Sequence, residues 1–168
     1  MFKKISLLLA AIIIFSCSQA LAAADVKPIF NGDEKAFINT YNDVAKKLGL
    51  TTYKKEPSQQ EGDVFSFELT ENADSAFILI QRKGKSITKC GLLTVDKALA
   101  EKTFKAWLMV CGLTDAEINV EPVFNADDTN VKLYCAALKG NVDVKTFATE
   151  GENKEMFYTV IVAGDEQK

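Results

Sequence analysis

The side chains that could carry chemistry in this sequence are carboxylates, hydroxyls and thiols, because its 168 residues include no histidine. Without imidazole, the chain lacks the Ser-His-Asp and Cys-His arrangements of nucleophilic catalysis and the zinc or iron sites that depend on histidine ligands. It also lacks the Gly-x-Ser-x-Gly elbow, the Gly-x-Gly-x-x-Gly fingerprint and a complete Gly-x-x-x-x-Gly-Lys-Ser/Thr phosphate loop. We therefore expect a protein that is not an enzyme and that binds no metal or cofactor.

Carboxylates are the most numerous of these groups, with 23 Asp and Glu residues. A glycosidase needs only two carboxylates at the right separation, one of them with a raised pKa. The acidic residues here fall mainly in predicted turns and on polar helix faces, and no pair is flanked by the aromatic cluster of a sugar-binding cleft. A carboxylate-based hydrolase is therefore only our third hypothesis for the function.

The densest group of oxygen-bearing side chains is the segment Asn125–Asn130. Alternating Asp and Asn residues bind calcium in the EF-hand loop, which also requires glycine at its sixth position and glutamate at its twelfth. Those two positions are occupied here by Asn130 and Ala136. The segment is therefore predicted to be an exposed loop that leads into a strand, and not a calcium site.

The sequence contains four cysteines, of which Cys17 lies near the amino terminus. In an oxidising compartment Cys90, Cys111 and Cys135 can form one bridge and leave one free thiol. We predict a Cys111–Cys135 disulfide, because the predicted helix that ends at Cys111 carries this residue roughly 12 Å past Cys90, too far for a bridge. A Cys90–Cys135 bridge and three reduced core thiols are the alternatives.

The amino-terminal segment has the pattern of a secretory signal peptide. Two lysines precede an apolar run, Ile5–Phe15, and the small-x-small sequence Ala20-Leu21-Ala22 supplies a cleavage site. We predict a signal peptide over residues 1–22 and one domain over residues 23–168, secreted or periplasmic. The apolar run is shorter than the ~20 residues that cross a bilayer, so no membrane span is expected.

Two alternatives exist for this segment. Cys17 follows Ile14-Phe15-Ser16, and a cysteine after a short apolar and small sequence is typical of a lipoprotein anchor, although the bulky Phe15 does not suit that motif. The other alternative is a buried amino-terminal helix. We favour simple secretion over both.

The charge balance argues against a nucleic-acid partner. The chain carries 20 basic and 23 acidic residues, a net charge of −3, and its isoelectric point is near 5.1. Proteins that bind nucleic acid through a basic surface have the opposite balance. With 48% hydrophobic and 26% charged residues, the composition is that of an ordinary globular domain.

The hydrophobic periodicity predicts an α+β fold with the order α-βββ-α-βββ. A helix is expected over Asp33–Leu48, with Asn31 and Glu34 as a capping box and Gly49 as its end, and a second helix over Asp96–Cys111. The strands are expected at Val64–Leu69, Ala76–Arg82, Ser86–Leu93, Val131–Leu138, Val142–Thr149 and Met156–Ala163. Both helices are then expected on one face of an antiparallel sheet.

Three further features refine this expectation. Ala76–Arg82 is almost continuously apolar, so that strand is expected to be covered on both faces. Trp107 lies on the apolar stripe of the second helix and is predicted to anchor the core. The sequence Gly49-Leu50-Thr51 recurs as Gly112-Leu113-Thr114 at the two helix ends, which suggests an internal duplication, with coincidence as the alternative.

The alternation of the last three strands predicts a binding surface. If the apolar residues Val131, Leu133 and Cys135 face the helices, their neighbours on these strands face away from them. Aromatic side chains among charged ones are typical of interaction surfaces. The candidate binding residues are therefore Tyr134, Phe147, Lys132 and Lys145. Coverage of these residues by a loop or another layer is the alternative.

From these features we expect an exported, non-catalytic binding or protein-interaction module of the cell envelope, for example an inhibitor of a secreted enzyme. The alternative is a carrier that holds a small apolar ligand between helix and sheet. The partner is expected to be a protein or small ligand of the envelope, and the chain is expected to be a monomer or a weak dimer.

Overall fold

A computed structural model describes residues 25–71, 76–151 and 154–167 of the chain. The predicted signal peptide, residues 1–22, and with it Cys17, lies outside the described residues. Within those ranges the chain forms two α-helices and nine β-strands, and seven of the strands make one antiparallel sheet. The predicted α+β class is therefore confirmed.

Two helices form one layer of the fold: α1 spans Glu34–Leu48 and α2 spans Lys97–Val110. Each begins after an aspartate whose carboxylate accepts a hydrogen bond from a backbone N–H in the first turn, at 2.8 Å for Asp33 and 3.1 Å for Asp96. The predicted capping box is wrong, because Asp33 and not Asn31 occupies the N-cap position of α1. None of the helices in the described ranges has the length and apolar character that a membrane crossing needs.

The strands cover most of the remaining chain. Their bounds are β1 Asp25–Val26, β2 Gln59–Glu61, β3 Val64–Glu68, β4 Ala76–Lys83, β5 Ser86–Thr94, β6 Thr129–Cys135, β7 Gly140–Glu150, β8 Met156–Gly164 and β9 Glu166–Gln167. All six predicted strands are present, within a few residues of their expected ends. Sequence analysis missed β1, β2 and β9, because these two- and three-residue strands are too short to show an alternation.

The seven-stranded sheet has the order β2-β3-β4-β5-β8-β7-β6. The strands β3-β4-β5 and β6-β7-β8 are two three-strand units, and each unit follows one helix in the chain. The units join where β5 pairs antiparallel with β8, so that Cys90 is opposite Val162 and Leu92 is opposite Val160. The two halves of the fold therefore share one topology, with the last strand of each half at the centre.

Both helices end with the same backbone motif. Gly49 has φ 67° and Gly112 has φ 97°, left-handed conformations that glycine adopts without strain. The leucine after each glycine donates its N–H to a carbonyl five residues earlier, at 2.8 Å in α1 and 3.0 Å in α2. The repeated Gly-Leu-Thr sequence is therefore one helix-capping motif used once in each half.

The main core lies between the helix layer and one face of the sheet. Trp107 is fully buried in it, as predicted, and Phe37 and Tyr41 of α1 belong to the same cluster. The sheet contributes alternate residues of its central strands, Ile78, Ile80, Cys90, Leu92, Val160 and Val162. Sheet residues between these positions point to the opposite side, which we name the outer face.

A half-buried ion pair ties the start of α1 to the β4–β5 hairpin. Glu34 lies 2.8 Å from the guanidinium of Arg82, which also sits 4.8 Å from the centre of the Phe65 ring. The Glu34 side chain therefore contacts the hairpin and does not complete the capping box that the sequence suggested.

Candidate functional site

The four predicted binding residues share the outer face of the sheet. In the β6–β7 pair Lys132 is opposite Asp143, and the two-residue period of a strand places Tyr134, Lys145 and Phe147 on the same side. Tyr134 is 63% exposed, and Phe147 is half-buried.

These four residues do not form one cluster. Tyr134 is opposite Asn141 near the start of β7, whereas Phe147 is opposite Thr159 of β8. Asn141 and Phe147 are separated along β7 by about 20 Å, at ~3.3 Å per residue. The two aromatic residues that the sequence hypothesis grouped therefore lie at different ends of the strand pair, with the lysines between them.

Both lysines form ion pairs on the outer face. Lys132 Nζ lies 2.9 Å from Asp165 and 3.4 Å from Asp143, and Lys145 Nζ lies 3.3 Å from Asp128. The hydrogen bond that Lys132 donates to Asp165, together with the charge of Asp143, raises the pKa of Lys132, and the same hydrogen bond lowers the pKa of Asp165. The lysine charges are thus compensated by neighbouring aspartates, so these residues form a polar border and not a positive patch.

Phe147 begins a row of large side chains that crosses the outer face. The strand register leads from Phe147 through Thr159 and Leu93 to Phe77. The adjacent row contains Leu79 and Ile161. We name as the apolar band the residues Val64, Phe77, Leu79, Leu93, Phe147, Phe157 and Ile161.

The central residues of the apolar band are buried, although both helices pack on the other face of the sheet. Phe77 and Leu79 are each 4% exposed, and Leu93 and Ile161 are each 7% exposed. The strand β4 is accordingly buried on both faces, as its continuous apolar sequence predicted. An apolar row of this size is normally shielded from water by another layer or by a partner.

Sequence reasoning found only one end of this band. The sequence predicts that the strand Ala76–Arg82, which contains Phe77 and Leu79, is covered on both faces, and it places Leu93 at the end of the next strand. The residues of the band are aligned by the register of β4, β5, β8 and β7. A single sequence does not show this register. Only strand pairing brings these residues into one surface.

Lys89 borders the apolar band at its polar end. It is opposite Gln81 on one side and Ala163 on the other. Burial, with a further contribution from the charge of Lys145, lowers the pKa of Lys89 to about 8. This part of the outer face therefore changes charge in mildly alkaline solution.

A groove of about 540 Å³ lies on the helix side of the molecule, where the end of α1 and the outer surface of α2 meet residues 118–122. Its apolar lining consists of Leu48, Leu50, Phe104, Ile118, Val120 and Pro122, and its charged lining of Glu101, Lys102, Lys105 and Glu121. The volume falls within the range of small-molecule sites. The carrier hypothesis placed its ligand between helix and sheet, but core side chains fill that space and the groove lies outside the helix layer.

Cys90, Cys111 and Cys135 are buried free thiols. No bridge joins Cys111 and Cys135 in the structure, so this disulfide stays a prediction for oxidising conditions. The two cysteines are nevertheless neighbours, since the Cys135 thiol donates a hydrogen bond to the Cys111 carbonyl at 3.4 Å. Burial raises the pKa of Cys90 and of Cys111, so these two thiols are poor nucleophiles.

The oxygen-rich segment Asn125–Asn130 leads into β6, and residues 125–128 are exposed. Asp128 pairs with Lys145, and the Asn125 carbonyl accepts a hydrogen bond from Ala148. Across the described parts of the chain, no three acidic or cysteine side chains converge to hold a metal ion. In the sequence Gly84-Lys85-Ser86, the first two residues form the turn between β4 and β5 and Ser86 begins β5, whereas a phosphate loop leads into a helix.

Comparison with known proteins gave no significant match to a family model, a curated protein or a solved structure. The function therefore has to be inferred from the geometry of the outer face and the groove.

Proposed function

We propose that this protein is an exported, non-catalytic interaction module of the cell envelope whose partner, another protein, docks on the outer face of the sheet. The observation that carries the proposal is the apolar band, because the helix layer of the described structure lies on the opposite face. An inhibitor of a secreted enzyme is one form that this role can take.

The composition of the outer face supports a protein partner. The centres of protein interfaces are rich in aromatic and aliphatic side chains, and their borders are polar. Here Phe77, Phe147 and Phe157 lie in the band, and the ion pairs of Lys132 and Lys145 lie at its border. A surface that extends over five adjacent strands, from β3 to β7, suits another protein better than a small molecule, which needs a concave site.

Site-specific photocrosslinking in the native envelope tests this proposal. A photoreactive amino acid at Phe147 or Leu93 should give adducts of one discrete mass, because both residues lie in the band. The matched control position is Lys46, which is exposed on α1. Equal adducts from Lys46, or none from the band, would contradict docking on the outer face.

The Kd measured with the purified protein and its partner tests the proposal quantitatively. Once the crosslinked partner is identified, Phe147→Asp should weaken its Kd by at least about tenfold, because a buried charge in an interface centre costs more than 1.4 kcal/mol. Lys46→Asp should leave the Kd unchanged. An unchanged Kd for Phe147→Asp would overturn the assignment of the docking surface.

The groove favours a second candidate function, a carrier of a small apolar ligand. Its volume and its six apolar lining residues suit an amphiphile. Leu48 is 40% exposed at its wall, so Leu48→Glu should remove binding of an apolar fluorophore without unfolding the protein. A fluorophore signal that is unchanged in Leu48→Glu would exclude the groove as its site.

A further inference from the structure

Three buried hydroxyl groups on the helix side of the sheet have no hydrogen-bond partner in the described parts of the chain. They belong to Tyr41 of α1, to Thr103 of α2 and to Tyr53 in the connection after α1. Tyr41 and Thr103 are 0% exposed, and Tyr53 is 1% exposed. Bulk solvent therefore does not reach these groups.

The three residues are neighbours in space. The ring centres of Tyr41 and Tyr53 are 5.0 Å apart, and the two rings are inclined by 56°. Burial raises the pKa of Tyr41 to about 12, and the nearby Thr103 hydroxyl opposes that rise. The three side chains therefore share one region of the core, which we name the hydroxyl cluster.

The fold fixes the position of each member of the hydroxyl cluster. Asn42 pairs with both backbone groups of Tyr53, and Tyr41 and Thr103 lie on helices that pack against each other. Trp107 follows Thr103 by four positions and so lies on the same side of α2. Its indole N–H is also buried and has no partner among the described residues. Packed elements thus hold these groups away from solvent.

Buried polar groups in folded proteins are nearly always hydrogen-bonded. A buried hydroxyl without a partner loses the hydrogen bonds that it makes to solvent in the unfolded chain, so it lowers the stability of the fold. The hydroxyl cluster would bring three such losses to one place in the core. We propose that the cluster is a binding site for at least one ordered water molecule, which bridges its hydroxyl groups. The site is separate from the outer face on which the partner is proposed to dock.

The chemistry of the hydroxyl cluster selects water as the ligand. Hydroxyl groups both donate and accept hydrogen bonds, as a water molecule does, and buried waters typically make about three such bonds. None of the residues of the cluster is charged, so a bound anion would be buried without a counter-charge, at a large cost in free energy. A larger organic molecule needs an open entrance, whereas these residues are at most 1% exposed.

Oxygen-17 magnetic relaxation dispersion of the purified full-length chain counts buried water molecules and tests the inference. The variant Tyr41→Phe/Tyr53→Phe/Thr103→Val removes the three hydroxyls and nearly keeps the side-chain shapes, so the count should fall by at least one. Tyr134→Phe removes a hydroxyl from a residue that is 63% exposed and should leave the count unchanged. If the triple variant does not fold, the double variant Tyr41→Phe/Thr103→Val takes its place. An unchanged count in the folded variant would overturn the inference.

Thermal unfolding gives a second result, in which the sign of the change decides. Tyr41→Phe and Thr103→Val should each lower the Tm by at least about 2 °C, because the bound water loses one of its partners. Tyr134→Phe should leave the Tm unchanged. If no water is bound, removal of an unpaired hydroxyl leaves the Tm the same or raises it, and either outcome contradicts the inference. A lower Tm with an unchanged water count would mean that Tyr41 and Thr103 bond directly to each other, which also contradicts it.

Discussion

The side-chain amide of Asn42 pairs with both backbone groups of Tyr53. Its Nδ2 donates to the Tyr53 carbonyl at 2.9 Å, and its Oδ1 accepts from the Tyr53 N–H at 2.8 Å. Both residues are buried, so the amide takes the place of a neighbouring strand for a residue in the connection after α1. The contact holds this connection against the helix layer.

Loss of this contact should lower the stability of the fold. Asn42→Ala leaves two buried backbone groups of Tyr53 unsatisfied, so we expect the free energy of unfolding to fall by about 2–4 kcal/mol. Asn39→Ala, at an exposed position of the same helix, should change it by less than about 0.5 kcal/mol. Urea denaturation measures both, and equal effects would show that the amide pairing does not stabilise the fold.

The two helix-ending glycines should respond differently to the same substitution. In Gly49→Ala the added Cβ has no other atom within 4 Å, so the only cost is about 1 kcal/mol for an alanine in the left-handed conformation. Gly112→Ala bears the same penalty and also places its Cβ 2.9 Å from the Cβ of Ala137. We expect it to destabilise the protein by at least about 1 kcal/mol more. Equal losses of unfolding free energy in the two variants, measured by urea denaturation, would contradict the close packing at Gly112.

The candidate binding residues should matter more for binding than for folding. Tyr134→Ala and Phe147→Ala should leave the melting temperature nearly unchanged, because Tyr134 is 63% exposed and Phe147 is only half-buried on the outer face. Calorimetry of each variant measures this. A loss of about 3 kcal/mol or more would instead identify the residue as part of the core.

Lys89 should make the stability of the full-length chain depend on alkaline pH. Its pKa falls from 10.5 to about 8 on folding, so between these values the unfolded chain binds more protons than the folded one. The contribution of Lys89 to stability should therefore rise with pH in this window. Denaturation of the unchanged chain and of Lys89→Met from pH 7 to 10 isolates this effect, and a constant difference between them would contradict it.

The cysteines provide a redox prediction. Cys111 and Cys135 are neighbours separated by 24 positions in the chain, so under oxidising conditions we expect one disulfide between them and a free Cys90. Closure of a loop of this length contributes about 3 kcal/mol in the chain-entropy model. Peptide mapping without reductant measures the pairing. A bridge that contains Cys90, or three free thiols, would show the prediction to be wrong.

Much of the fold was predictable because its signals are local. The apolar stripe of α2 placed Trp107 in the core, and Gly49 and Gly112 marked the helix ends through a conformation that only neighbouring backbone groups determine. The six longer strands were likewise evident from alternation or from continuous apolar runs.

The candidate surface was only partly predictable. The sequence by itself predicted that Phe147 and Tyr134 share one side of the sheet, because the two-residue period of each strand places them opposite the apolar residues expected to face the helices. It could not determine that β5 pairs with β8, and this pairing is what joins Phe147 to Leu93 and Phe77 in one band while leaving Tyr134 apart. Such contacts join residues far apart in the chain, so only the tertiary structure decided which residues form the surface.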